Sequence, residues 1–526
     1  MIHDAEDLTK KILNSDVNDM LASGKFGIEK ESLRVVQSTI SRKMHHESMG
    51  SPLCHQYITT DFSEAQLELI TPPLADKKMG LKFLDNIHHF VSHKIEDEFI
   101  WPFSMPPLIQ SDDDIPIASY GSSNLALFKR AYRNGLSHRY GRTMQAISGI
   151  HFNYSLPEEI WKSSFLAQEK VTSKKLKATI YFRTLRNLHR MNWLLLYFFG
   201  ASPVTTKNFL SNKHKGFLKL DRNAYYLPFA TSLRMSDLGY QNINQLKLDI
   251  SLNSLQEYIF DLKKATATKC EDFQKIDQEN TGSYPQINSN ILQIEDEYYA
   301  VSRPKSSCIA NQRLTTKLKD TGVDYIELRS LDINPFQRVG IDLESIHFLE
   351  VFLIYCTLMP SPPIKNDELE EIKQNDLLVA TKGREPGLNL SNGRRILSLK
   401  NWANQILNEM ALIAGFMDKK TTHFSRIIDK FIGQIEDPEK TLSAILLNKI
   451  LSEKIDFLDL GRTIGADNKN HYINQKISQN SDWLLLEKES ADSQQRHIEL
   501  ERGDAKKSFE DFITEYCYES SYKNEN

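Results

Sequence analysis

The chain has 526 residues, 40% hydrophobic and 25% charged, an ordinary globular composition long enough for several domains or for one large catalytic domain with appendages. Its 65 basic and 69 acidic residues leave a net charge of −4, so no global excess points to nucleic acid or a membrane surface as partner. The apolar stretches at 193–204 and 352–360 fall short of the roughly 20 residues that cross a bilayer, and the acidic residues 1–7 lack the basic and apolar regions of a signal peptide, so a cytoplasmic protein is expected.

In chain order, residues 5–22 read as an amphipathic helix, with Leu8, Ile12, Val17 and Leu21 near helical spacing. Strands are expected at about 25–36 and 56–72, then a helix at 76–98 and a Pro-rich loop at 101–107. A basic and aromatic helix carries Lys129, Arg130, Tyr132, Arg133, Arg139 and Tyr140. A strand at about 145–156 precedes helix over 158–199, a Tyr- and Ser-rich connection at 225–240 and helix at about 252–268. Strands at about 285–301 and 323–332 and a buried helix at 343–359 follow, and beyond about 365 the pattern is charged and mostly helical. Strands thus come singly or in pairs between long helical inserts, unlike the rhythm of a parallel βαβ fold. The expectation is an α+β protein whose antiparallel sheet carries the site. It comprises a catalytic domain over 1–364 and a helical C-terminal region over 365–526 packed on it. The five cysteines are widely spread with no CxxC, which argues against structural zinc and a disulfide framework.

Four segments carry the chemistry: Gly27-Ile28-Glu29-Lys30-Glu31, the run from Thr60 and Asp61 to Glu68, Ser148-Gly149-Ile150-His151-Phe152-Asn153, and Tyr325-Ile326-Glu327-Leu328-Arg329. Residues two apart on a strand share a face, so Glu29 pairs with Glu31, His151 with Asn153, and Glu327 with Arg329. Each alone has a plain alternative: a solvated strand face, a core histidine, a same-face ion pair. Together, carboxylates and one imidazole on apolar strands would be costly without a cation. A cluster of divalent metals resolves that cost, and the chemistry most often built on such clusters is phosphoryl transfer. Arg234 in the connection, and Arg303 and Lys305 after the strand at 285–301, suit carboxylates or phosphates. The chain has no GxxxxGK[ST] loop, no GxGxxG fingerprint and no GxSxG elbow, so metals and arginines must hold any ATP.

Taken in order, residues 26–34, 58–72, 101–106, 120–157, 199–203, 225–240, 286–305 and 324–336 closely resemble the glutamate–cysteine ligase family of gammaproteobacterial type. The runs Ile58-Thr59-Thr60-Asp61-Phe62, Leu233-Arg234-Met235-Ser236-Asp237-Leu238-Gly239-Tyr240 and Arg329-Ser330-Leu331-Asp332-Ile333-Asn334-Pro335-Phe336 are specific to it. That family has a catalytic sheet similar to that of glutamine synthetase. The resemblance implies ATP-dependent joining of the glutamate γ-carboxylate to the cysteine amine through a γ-glutamyl phosphate, the first step of glutathione biosynthesis.

It further implies that Glu29, His151 and Glu327 bind one Mg²⁺ (or Mn²⁺), and that Glu31 and Glu68, with Asp61 close by, bind another. Arg329 meets the transferred phosphoryl group, and Arg133 and Arg234 hold substrate carboxylates. Phe62, Tyr132, Leu136, Gln145, Tyr240 and Tyr299 wall the cysteine pocket. Asp61 is a candidate base for the amine, Arg303 and Lys305 are candidates for the nucleotide, and a monomer is expected. A ligase with another acceptor, a metal-dependent phosphohydrolase and a non-catalytic binding protein of the same fold are the competing readings.

Overall fold

The computed structural model describes residues 21–158, 173–210, 216–239, 248–279, 284–307, 312–393, 395–418, 423–504 and 507–518. The helix expected at 5–22 and the start of the one expected at 158–199 therefore fall outside the described residues, Leu21 and Ala22 excepted. An antiparallel sheet is built on β1 (Lys25–Val36), β2 (Ile58–Thr60), β3 (Gln66–Ile70), β4 (Ile150–Ser155), β5 (Ser302–Lys305) and β6 (Tyr325–Leu331). Their order is β5-β6-β4-β1-β3-β2, and the short strands Thr39–Ile40 and Phe99–Ile100 pair with the far end of β1. The α+β antiparallel architecture read from the sequence is borne out.

Alternation along these strands makes two faces of different character. One is apolar: Phe26 and Ile28, Leu67 and Leu69, Phe152 and Tyr154, and Ile326 and Leu328 are each at most 1% exposed. It packs on helices α1 (Lys77–Ser92), α3 (Ser173–Phe199) and α4 (Leu343–Leu358). Helix α4 is apolar nearly all round, as a helix in the middle of a core must be. The remaining helix that bears on the site, α2 (Asn124–Tyr140), lies on the other side. Beyond residue 364 the chain is mostly helical, and one apolar cluster contains Phe352, Val379 and Leu407, so the core crosses that position without a break.

Two expected strands differ. Residues 56–72 form a hairpin, because the Gln66 amide turns back to the Ser63 carbonyl (2.9 Å) and the Ala65 amide to Ser63 Oγ (3.2 Å). Residues 285–301 form no strand: Gln293 Oε1 accepts from the Ile287 amide and Glu297 Oε2 from the Gln293 amide, so side chains take the place of a ladder partner. Arg303 and Lys305 consequently sit within edge strand β5, where Pro304 is tolerated, and not in a loop after a strand. Cys54, Cys270, Cys356 and Cys517 are free, and no helix among the described residues is long and apolar enough to cross a membrane.

Candidate active site

The register of the sheet assembles the polar face. Glu29 lies opposite His151, Glu31 opposite Glu68, and Glu327 between Asn153 and Arg303. His151 Nδ1 is 3.2 Å from Glu29 Oε2 and 3.7 Å from Glu327 Oε1, and its Nε2 is 3.3 Å from Glu31 Oε1. Asn153 donates to Glu29 (2.8 Å) and the Gly149 amide to Glu31 (3.0 Å). On the other flank Arg329 Nη1 lies 3.3 Å and Lys305 Nζ 3.4 Å from the two oxygens of Glu327.

These carboxylates do not titrate alike. Burial pushes Glu29 up, but the hydrogen bond and charge of His151 bring it below its ordinary value. Burial raises Glu327 too, and Lys305 and Arg329 outweigh it and hold the group well below the usual range. Glu31 is raised by burial. Glu68 is raised furthest, by burial and then by Glu29, Asp61, Glu31 and Glu327. A cluster in which carboxylates oppose each other across a ladder is electrostatically unfinished.

The donor set fits divalent cations. One ligand atom each from Glu29, His151 and Glu327 lie within 4.8 Å of one another. Glu327 Oε2 is buried and, beyond the 3.4 Å ion pair with Lys305, has no hydrogen-bond partner among the described residues. Hard oxygens with a single imidazole suit Mg²⁺ or Mn²⁺.

The polar face floors a cavity of about 660 Å³. Helix α2, capped by Ser123 Oγ accepting from the Ala126 amide (3.2 Å), forms a wall. Its residues 129, 132, 133, 136 and 140, at helical spacing, turn Lys129, Tyr132, Arg133, Leu136 and Tyr140 inward. Arg133 is fixed by Nε donating to the Asp61 carbonyl (2.5 Å) and by its guanidinium lying 4.8 Å over the Tyr120 ring. Asp61, Phe62, Gln145, Arg234, Tyr299 and Arg303 line it too, together with the carboxylates, His151, Lys305 and Arg329. Every candidate site residue borders this cavity except Tyr240, which lies outside the described residues.

The cavity also holds residues that the sequence did not single out: Met144, Leu248, Asp296, Glu297, Tyr298 and Lys373. Glu297 ties the wall together, accepting from Arg139 (3.0 Å) and from the Tyr140 hydroxyl (2.6 Å). Lys129, read from the sequence on the same helix as Tyr132 and Arg133, borders the cavity with them. Nothing in the charged run around Lys373 separates it from its neighbours, because its place comes from the packing of its helix on α3.

A family model described as glutamate–cysteine ligase matches residues 9–379. The glutamate–cysteine ligase of Alcanivorax borkumensis is 39% identical over 517 residues, covering 97% of this chain and 98% of that protein. The one from Aliivibrio fischeri is 42% identical over 429 residues, covering 80% and 82%. The crystal structure of the Francisella tularensis glutamate–cysteine ligase in complex with AMP superposes with a TM-score of 0.89 at 33% identity, covering 95% of this chain and 98% of that one. A bifunctional glutathione synthetase from Pasteurella multocida gives a TM-score of 0.72 at 25% identity, over 90% of this chain and 57% of that one. With the family model spanning most of the chain and full-length relatives at this identity, the chain belongs to the glutamate–cysteine ligase family.

Proposed function

We propose that this cavity joins the γ-carboxylate of L-glutamate to the amine of L-cysteine at the expense of ATP, giving γ-glutamylcysteine, ADP and phosphate, the first step of glutathione synthesis. The observation that carries the reading is the unfinished carboxylate cluster flanked by Arg329 and Lys305, in a chain that matches a nucleotide-bound ligase along its length. Glu29, His151 and Glu327 would hold one divalent cation, and Glu31 and Glu68, with Asp61, a second. Bound there, Mg²⁺ or Mn²⁺ neutralises charge on the ATP phosphates.

The chain's own groups do the rest. Arg329 offsets charge on the phosphoryl group as a γ-carboxylate oxygen of glutamate displaces ADP in line. Arg303 and Lys305 grip the nucleotide's phosphates, and Arg133 and Arg234 orient substrate carboxylates by their forked donors. Phe62, Tyr132, Leu136, Gln145 and Tyr299, joined by Tyr240, form a small pocket for the acceptor side chain and keep water from the acyl phosphate. The amine nitrogen then bonds to the acyl carbon as phosphate leaves, and Asp61 accepts the amine's proton. We read residues 1–364 as the catalytic unit and 365–526 as its helical support, in a cytoplasmic monomer. Light scattering on the purified protein tests the last point.

The deciding experiment measures ADP release by the purified chain with Mg²⁺, ATP and glutamate, with and without cysteine, 2-aminobutyrate or alanine. Release that needs glutamate and an acceptor, fastest with cysteine, supports the reading. Release indifferent to amino acids assigns a phosphohydrolase, a preference for another acceptor assigns a sibling ligase, and no release overturns the catalytic reading.

A further inference from the structure

The run from Arg329 to Phe336 contains an acid, Asp332, that does not border the cavity. Its side chain is wholly buried just past the end of β6. One carboxylate oxygen accepts from the Ala201 amide (2.8 Å) and Ser202 Oγ (2.6 Å), and the other from Ser232 Oγ (3.0 Å). Asp332 therefore ties three segments together: the residues after α3, the connection that carries Arg234, and β6. Ser202 and Ser232 reinforce the tie with a parallel backbone bridge.

Arg234 stands on this mount. It projects from a short turn (Leu233–Met235), and its amide faces Ser202 Oγ at 3.4 Å. Its Nη2 donates to the Arg329 carbonyl (2.7 Å), and its Nη1 lies 3.2 Å from Met235 Sδ and 3.7 Å from Asp332 Oδ1. The guanidinium also packs against Gly149, where an added Cβ would come within 2.2 Å of Nη2. A long, flexible side chain is thus held to one place beside Glu31 and Arg329, with fixed charge behind it and free cavity in front. A bidentate grip on a carboxylate demands such pre-orientation.

We propose that Asp332 is the positioning residue for Arg234: through the Ser202–Ser232 tie and its own charge it fixes the guanidinium that receives a substrate carboxylate. The proposal rests on the reading that Arg234 binds an amino-acid substrate. Asp332 contacts no reacting atom, so its effect must pass through Arg234.

The test is steady-state kinetics of the full chain with glutamate, cysteine and ATP varied in turn, for Arg234→Ala, Asp332→Asn and the double variant. Arg234→Ala is expected to raise the KM of one amino acid by about tenfold or more. Asp332→Asn should raise that same KM by about fivefold, leaving kcat within about threefold and the other two KM values within about twofold. The double variant should be within about twofold of Arg234→Ala, because a residue acting through another adds nothing once the other is gone. Equal losses for all three substrates, or losses that multiply in the double variant, overturn the proposal and leave a structural role. An Arg234→Ala enzyme with both amino-acid KM values unchanged overturns the reading of Arg234, and the proposal with it. Should Asp332→Asn not fold, Ser232→Ala removes one hydrogen bond from Asp332 and should raise the same KM by about twofold; no change overturns the proposal.

Discussion

On one face of β1, the fully buried Arg34 meets Glu98 at 2.6 and 2.7 Å and donates to the carbonyls of Lys43, Met44 and Glu64. On the other face of the same strand, Glu29 and Glu31 share the imidazole of His151 with Glu327, and Glu68 is raised by burial and by the charge of other carboxylates. Both faces bury charge; Glu98 answers Arg34 on the first, whereas on the second Lys305 and Arg329 answer Glu327 but leave Glu68 raised. The first face serves the fold, and the second is the one to which the proposed reaction is assigned. Substitutions on the two faces should therefore fail in different ways.

The largest separation is expected from Glu327→Gln, which removes a charge without changing volume. Turnover should fall by at least a thousandfold, about 4 kcal/mol in barrier, while the melting temperature stays near the parent's. Activity within about tenfold of the parent would sink the assignment of Glu327 to the phosphoryl-transfer site. The mirror experiment is Glu98→Ala, which strands Arg34 in the core and also removes the acceptor facing His46 (2.5 Å). A loss of about 3 kcal/mol in chemical denaturation is expected, with near-parental turnover per folded molecule. Tyr132→Ala comes next: the cysteine KM should rise by about tenfold and that of glutamate by less than about twofold. A parallel rise in both would mean that Tyr132 does not belong to the acceptor pocket.

A pH titration sharpens the comparison on the first face. Lys30 is the exception there, buried with His88 Nε2 at 3.0 Å as its side-chain partner, and burial lowers it from 10.5 to about 7. Between those values the unfolded chain binds the proton that the folded chain has lost, so stability rises with pH across that window. His88, pushed well below its ordinary range by burial and by Lys30, titrates beneath it. Lys30→Met should flatten this part of the stability–pH curve measured by denaturant titration; an unchanged slope would mean that Lys30 is not the group responsible.

Much of the site was legible because strand alternation is strict: the pairs Glu29/Glu31, His151/Asn153 and Glu327/Arg329 each came out on the face read from their spacing. Which strands would be neighbours was not legible, since periodicity within a segment says nothing about its partner; that order appears only in the folded sheet. The misread segment at 285–301 shows the limit from the other side. Its buried Ile287, Leu292 and Ile294 look like strand positions, but Gln293 and Glu297 satisfy the backbone locally and no ladder is needed. The Asp332 mount was invisible for a related reason: its partners Ala201 and Ser232 come from connections whose approach depends on packing.

The proposed ligand set spans β1, β3, β4 and β6, with almost 300 residues of chain between Glu29 and Glu327. No fragment that ends before β6 contains the whole site. Contacts so distant in sequence close late and slowly. A slip of one residue in any of those strands would send its carboxylates, or the imidazole of β4, into the apolar core. Recovered activity during refolding should therefore appear only with the last strand to dock, making catalysis a reporter of sheet closure.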